Sequence, residues 1–228
     1  PYSTDNVPYK SKKYFHISLN GIKQKDFTVI YGVTGTTQEY SPSDAVEMLM
    51  QHNAHKMASR DQRHDIINAA MAKDESVRMM YASKQSSIAN SWKKWQGELK
   101  GLDRLNAVQK KQEQEQRFTN WAAQNTQRNA RYGNVLSQMK ELYANMNELS
   151  LVSDYNREAI LGVELLSFCS QLSRVIDKEQ LPEDLVKGAE ELIASNVQRF
   201  FKDYSQPIDK KVFTAMFNSY HKNISKPY

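Results

Sequence analysis

Cysteine is almost absent from the 228-residue chain: Cys169 stands alone. A single thiol excludes an internal disulfide and any cysteine-based metal cluster. Its neighbours Leu165, Leu166, Phe168 and Leu172 follow helical spacing, which predicts a buried, inert side chain. Glycine and proline are also scarce, at 8 and 6 residues, and unevenly placed. Between Thr36 and Gln96 there is no glycine and one proline, Pro42. A span so poor in breakers excludes a succession of strands and tight turns and favours long helices. No apolar run approaches the roughly 18 residues of a membrane span, and Glu164 interrupts the most apolar stretch, Ala159 to Cys169. Neither charge sign dominates: 31 basic residues against 26 acidic ones leave a net charge of +5, too mild to demand a polyanionic partner. The chain starts at Pro1, with neither an initiator methionine nor a signal-like apolar segment. That predicts a processed product or a fragment, with a trimmed small protein as the alternative.

The residues present divide the chain in two. Over residues 1–40, Tyr14 to Leu19 and Phe27 to Val33 are short aromatic and β-branched runs separated by Asn20-Gly21. They predict two strands after an extended connection. Two strands alone are marginal in water, so this β-ribbon is expected to complete a sheet whose remainder lies elsewhere. Over residues 41–228 the pattern is helical. Ser41 and Pro42 form a helix start, as N-cap and first helical residue. Val46, Leu49, Met50, Asn53 and Met57 follow a period near 3.6, and Ile66, Ile67 and Met71 resume it.

Asp74 is placed to cap a second helix, ending near Gln96 before a break bracketed by Gly97 and Gly101. A polar helix is expected from Asp103 to about Arg131, another from Val135 to Leu149, and an apolar one capped by Asp154 and running to about Ile176. Pro182 separates it from Leu185 to Tyr204, and Pro207 to His221 completes seven or eight helices without an internal repeat. The fold class is therefore mainly α, a multi-helix domain with a short N-terminal β-ribbon.

Serine hydrolysis needs a nucleophile in an exposed turn, a base beside it and donors for the oxyanion. No G-x-S-x-G occurs, and no serine stands in a glycine-built turn, so no catalytic residue is assigned. His52, His55 and His64, with Asp61 and Asp65 nearby, lack the H-E-x-x-H pattern and read as surface histidines rather than metal ligands. Gly32 to Thr37 lacks the lysine and spacing of a phosphate loop and reads as a turn between elements. Lys93, Lys94, Lys100, Arg104, Lys110, Lys111 and Arg117 run on from Trp92 and Trp95, a composition that could serve nucleic acid. Glu98, Asp103, Glu113 and Glu115 interrupt it, and a solvated face is the preferred reading. No cofactor, metal, membrane or nucleic-acid partner is expected.

The segment Tyr81 to Lys94, with Ile88-Ala89-Asn90-Ser91-Trp92-Lys93 at its centre, and then Gly97 to Leu102, resembles serine peptidase family forty-six. These are the dipeptidyl-peptidases seven and eleven of Bacteroidetes and their relatives. The resemblance extends to Asp5 to Tyr9, Tyr14 to Leu19, Asp26 to Tyr40 and Asp74 to Arg78, and is weaker beyond Asn106. It implies that residues 1–40 are the tail of the first half of a chymotrypsin-like double β-barrel, and that 41–228 form a helical cap over the cleft. The catalytic His and Asp would then precede Pro1 and the Ser would follow Tyr228, leaving the fragment inactive alone. The resemblance matches Asn90 to a residue that binds the substrate's free amino terminus. The implied partners are peptides with a free amino terminus and the remaining barrel halves; a homodimer of the parent is also admitted, in the periplasm or outside the cell. Ser91 stands where an aromatic is usual, and Val33-Thr34 replaces an aromatic-Pro pair. Penultimate-residue specificity is not encoded here. The alternative is a stand-alone helical interaction module without catalytic activity, using the polar helix of 103–131.

Overall fold

A computed structural model describes residues 7, 10–29, 31–32, 38–176 and 183–224, with backbone alone at 173–176 and 183–192. The chain falls into two compact units, Pro1–Glu39 and Tyr40–Tyr228.

The described part of the first unit contains no strand. Gly21 takes a left-handed conformation (φ +68°), as does Lys25 (φ +78°), and the Lys23 amide closes a turn on Asp26 Oδ2 at 2.7 Å. Phe15 is 100% exposed and Leu19 93%, and Tyr14, Ile17 and Phe27 are also exposed. The two expected strands are thus not formed at 14–19 and 27–29. Their alternating side chains have no second layer to pack on, and a lone ribbon lacks the burial that stabilises pairing. The segment Asp5 to Tyr9 apart from Val7, the residues Val33 to Thr37, and Pro182 lie outside the described residues.

The second unit is helical, as the breaker-poor sequence predicts. Its helices are α1 (Ser43–Met71), α2 (Glu75–Arg104), α3 (Ala107–Ala123), α4 (Thr126–Tyr132), α5 (Val135–Tyr155), α6 (Glu164–Ile176), α7 (Glu183–Lys202) and α8 (Gln206–Asn223). Between α5 and α6, Asn156–Ile160 winds as a π-helical turn.

The short link 72–74 makes α1 and α2 an antiparallel hairpin. Asp74 caps α2 as expected, its Oδ1 accepting from Ser76 N at 2.8 Å and from Val77 N. The Ser76 hydroxyl and these amides hold the Asp74 carboxyl below its ordinary range. An aspartate lowered in the folded state stabilises it above the unfolded pKa, and that contribution disappears as pH falls through the folded value. Asp74→Ala should therefore lower the melting temperature at neutral pH, and the difference from wild type should vanish in acid. A difference that persists below pH of about 2 would contradict this.

Other boundaries shift for local reasons. Helix α1 begins one residue late, with Pro42 at the N-cap position, and Ser43 donates its amide and hydroxyl to Glu115 of α3. Helix α2 runs through Gly97 and Gly101, which sit in open space, and stops at Leu105 and Asn106. Asn106 adopts φ +48°, ψ +49°, a left-handed conformation that asparagine tolerates better than most residues. The polar helix expected through Arg131 is instead two, because Asn125 accepts from Arg128 N and starts α4.

The core lies where α1, α2, the π turn and α8 meet. Ile67, Tyr81, Ile88, Tyr155, Ala159, Val163, Ile208, Val212 and Met216 are buried together there. Tyr81 is fully enclosed, and its hydroxyl accepts from Ser205 N at 3.1 Å, fixing the start of α8. Cys169, expected to be buried, is exposed on α6. The apolar side of that helix is carried by Phe168, which stacks on Phe200 of α7 at 4.2 Å, and the thiol points elsewhere.

Candidate functional site

A polar seam runs through the α1–α2 hairpin next to the apolar core. Glu158, in the π turn, is 2% exposed. Arg60 of α1 grips it with two bonds of 2.8 Å, from Nε and Nη2, the fork geometry that suits a carboxylate. Arg60 Nη1 then donates to the carbonyl of Ile88 in α2 at 3.0 Å. Its guanidinium also lies 4.5 Å from the centre of the Trp95 ring, with Lys56 over the same ring. One side chain thus ties the π turn to the stretch of α2 from Ile88 to Trp95.

The same stretch is held again on the neighbouring turn. His64 bridges Asn68 and Gln85 and stacks on Trp92, with ring centres 5.4 Å apart and planes 18° from parallel. Trp92 and Trp95 thus each have a face engaged from within the fold.

Asn90 sits in the middle of this braced segment. Ile88 and Ala89 point inward, while Asn90 is exposed, as are Ser86, Ser87, Lys93 and Lys94 one turn away on either side. Its amide makes no side-chain hydrogen bond among the described residues, so both its carbonyl and its NH2 are open to a ligand. It does not pack between helices. Ser91 is half-buried beside it.

The histidines expected at the surface are inside the packing instead. His52 is 6% exposed and lies between Asp154, 2.6 Å from Nδ1, and Asn147, 3.1 Å from Nε2. His55 contacts the Tyr155 hydroxyl at 3.1 Å. Asp154, expected to cap the apolar helix, is spent on His52. A His–carboxylate pair is half of a general-base arrangement, but the other ring nitrogen meets an amide rather than a hydroxyl, so no nucleophile is activated here. Among the described residues, no group of three or more His, Cys, Asp and Glu side chains is arranged to hold a metal ion. No described helix is long and apolar enough to cross a membrane.

This sequence matches the family described as Peptidase S46 over residues 1–228. The chain belongs to that family. It is 38% identical to an Asp/Glu-specific dipeptidyl-peptidase of Capnocytophaga gingivalis, over 99% of this chain and 32% of that protein. It is 34% identical to an Asp/Glu-specific dipeptidyl-peptidase of Flavobacterium psychrophilum, over 100% of this chain and 32% of the relative. With dipeptidyl-peptidase 7 of Porphyromonas endodontalis the identity is 30%, over 98% of this chain and 27% of the relative. The chain therefore spans about a third of the length of the curated relatives it matches. The resemblance carried by Ile88 to Lys93 is thus part of a match that covers every residue of the S46 chain.

What the sequence missed is the bracing. Arg60 and Arg63 stand one helical turn apart, and Glu158 lies just before the apolar run, so a charge at the edge of a buried segment was the available signal. Nothing local pairs them across nearly a hundred residues.

Proposed function

We propose that this chain is the helical cap, residues 41–228, together with the tail of the first β-barrel, residues 1–40, of a serine dipeptidyl-peptidase. The parent protein releases dipeptides from peptide amino termini by acyl-enzyme chemistry, in the periplasm or outside the cell. The barrel halves carry the nucleophile and base, and this chain alone cuts no peptide bond. The observation that carries the reading is the match to dipeptidyl-peptidases along the whole chain, at about a third of their length.

In this reading Asn90 accepts a hydrogen bond from the substrate's ammonium group through its side-chain carbonyl. An acceptor held at a fixed distance from the nucleophile measures off two residues, which is why the product is a dipeptide. The exposed, unbonded Asn90 on a helix segment braced by Arg60 and His64 suits this role, because a rigid acceptor loses little on ordering.

The test uses the parent protein with its flanking barrel. Hydrogen bonds to charged groups contribute about 1.5–3 kcal/mol, so Asn90→Ala should lower kcat/KM by roughly 10- to 100-fold. The loss should be confined to substrates with a free amino terminus and absent for acetylated ones. Unchanged dipeptide release by Asn90→Ala would remove Asn90 from the site.

A further inference from the structure

A cavity of about 430 Å³ opens between α1, α2, α6, α7 and α8, beside the seam and without Asn90 in its lining. Its size falls within the range of small-molecule sites, roughly 300–1,000 Å³. Ile67, Ile88, Phe168, Phe200 and Val212 supply apolar walls, and Arg63, Lys84, Glu164 and Asp209 supply charge.

The charged groups are unequally satisfied. Glu158 is taken up by the fork of Arg60. Glu164 pairs with Lys84, which also donates to the Asp203 carbonyl. Asp209 accepts from the amides of Glu164 and Leu165 at 2.8 and 3.0 Å and from the Tyr204 hydroxyl at 3.2 Å. Each carboxylate thus has partners of its own, and Arg63 is left over. Its hydrogen bonds among the described residues are two 3.5 Å contacts from Nη1 to Glu158, one to the carbonyl and one to the carboxylate already held by Arg60. Its Nε is buried with no partner. Burial draws the guanidinium's pKa down from its ordinary value, against the pull of nearby Glu158. Gly162 lets this group come close: a methyl there would stand 2.7 Å from Arg63 Nη1.

We propose that this cavity binds a small carboxylate with an apolar body, its oxygens held by Arg63 and its chain lying against Ile67, Ile88, Phe168 and Val212. The Nη end of the guanidinium, held by Glu158 only at 3.5 Å and set beside apolar walls, is complementary to that chemistry, since a carboxylate can take donors that the fold bonds weakly. The inference goes beyond the amine-site reading and does not depend on it. Two sources share the chemistry, a fatty acid and an N-blocked hydrophobic amino acid.

Calorimetric titration of the protein with octanoate and with N-acetyl-leucine, each against its neutral amide, tests the proposal. At least one carboxylate should bind about tenfold or more tightly than its amide, and the Gly162 backbone amide resonance should move on binding. The tighter of the two identifies the source. Arg63→Gln should weaken the carboxylate by a similar factor. Ser167→Leu, which narrows the cavity and leaves every charge in place, should abolish binding. Equal binding of carboxylate and amide, no binding of either acid, or full affinity in Ser167→Leu would overturn the proposal.

Discussion

Glu158→Ala should be the most damaging single substitution in the helical unit, costing about 3–5 kcal/mol of folding free energy. The side chain is 3% exposed, and those of Arg60 and Arg63 are 16% and 13% exposed, so removing it leaves two guanidinium groups in low dielectric facing each other. The loss is dominated by that uncompensated charge rather than by the two hydrogen bonds themselves. Small domains are stable by only about 5–15 kcal/mol, so the variant is expected near the edge of folding at 37 °C. Glu158→Gln keeps the shape and one acceptor and should fall between wild type and Ala. Guanidinium unfolding midpoints measure both. A loss below about 1 kcal/mol would place the pair in the class of solvent-screened surface bridges. Where the Gln variant stays folded, the environment of Trp95 should change in near-ultraviolet circular dichroism, because Arg60 loses one of the two bonds to Glu158 that help hold it over the ring.

Asp209→Ala ranks second, at about 2–4 kcal/mol, for a different reason. Asp209 belongs to α8, yet it caps α6: Oδ1 and Oδ2 take the first two amides of that helix, 45 and 44 residues away in sequence. Those amides have no intrahelical partner, and the residue is 3% exposed, so water cannot easily replace it. Hydrogen exchange at Glu164 and Leu165 should quicken strongly while the Tyr81 region stays protected. Asp209→Asn presents one acceptor and one donor, so one of the two amides must lose its bond. Partial burial, then the Asp209 charge and hydrogen bond, hold the Tyr204 phenol up to about 12, so its titration should move down in either variant. Unchanged exchange at both amides would mean that the cap contributes nothing.

The residues legible from sequence are those whose partners are local. The α1–α2 hairpin follows from the missing breakers, and Asp74 is readable as a cap because the amides that donate to it lie two and three residues away. Gly97 and Gly101 misled because a glycine weakens a helix only modestly where the flanking residues favour it. The real stop needed Asn106 to enter a left-handed conformation, which composition does not announce.

Asp154 stood where a cap would stand, and its true partner is His52, 102 residues earlier. A similar distance hides the Arg60–Glu158 fork and the Tyr155 partner of His55, whereas His64 is packed by the nearer Asn68, Gln85 and Trp92. Helical spacing predicted Cys169 to be buried because a run of apolar neighbours does not say which side of the helix faces inward. The strand pattern of 14–33 rests on side-chain type alone, whereas a strand requires a neighbour to pair with. Asn90 is marked by the family resemblance alone, since an exposed asparagine in a helix carries no signal of its own.

The π turn at Asn156–Ile160 has a consequence for how this lineage can change length. Such a turn holds one residue more than ordinary winding would, and that residue swings Glu158 and Ala159 inward together. Deleting it would restore regular winding but rotate everything downstream by about 100°, carrying Gly162 and the start of α6 away from Arg63. Insertions and deletions should therefore accumulate at the link 124–125 and be purged at 156–160, so that a gap-free stretch among homologues marks a place where the residue count itself is under selection.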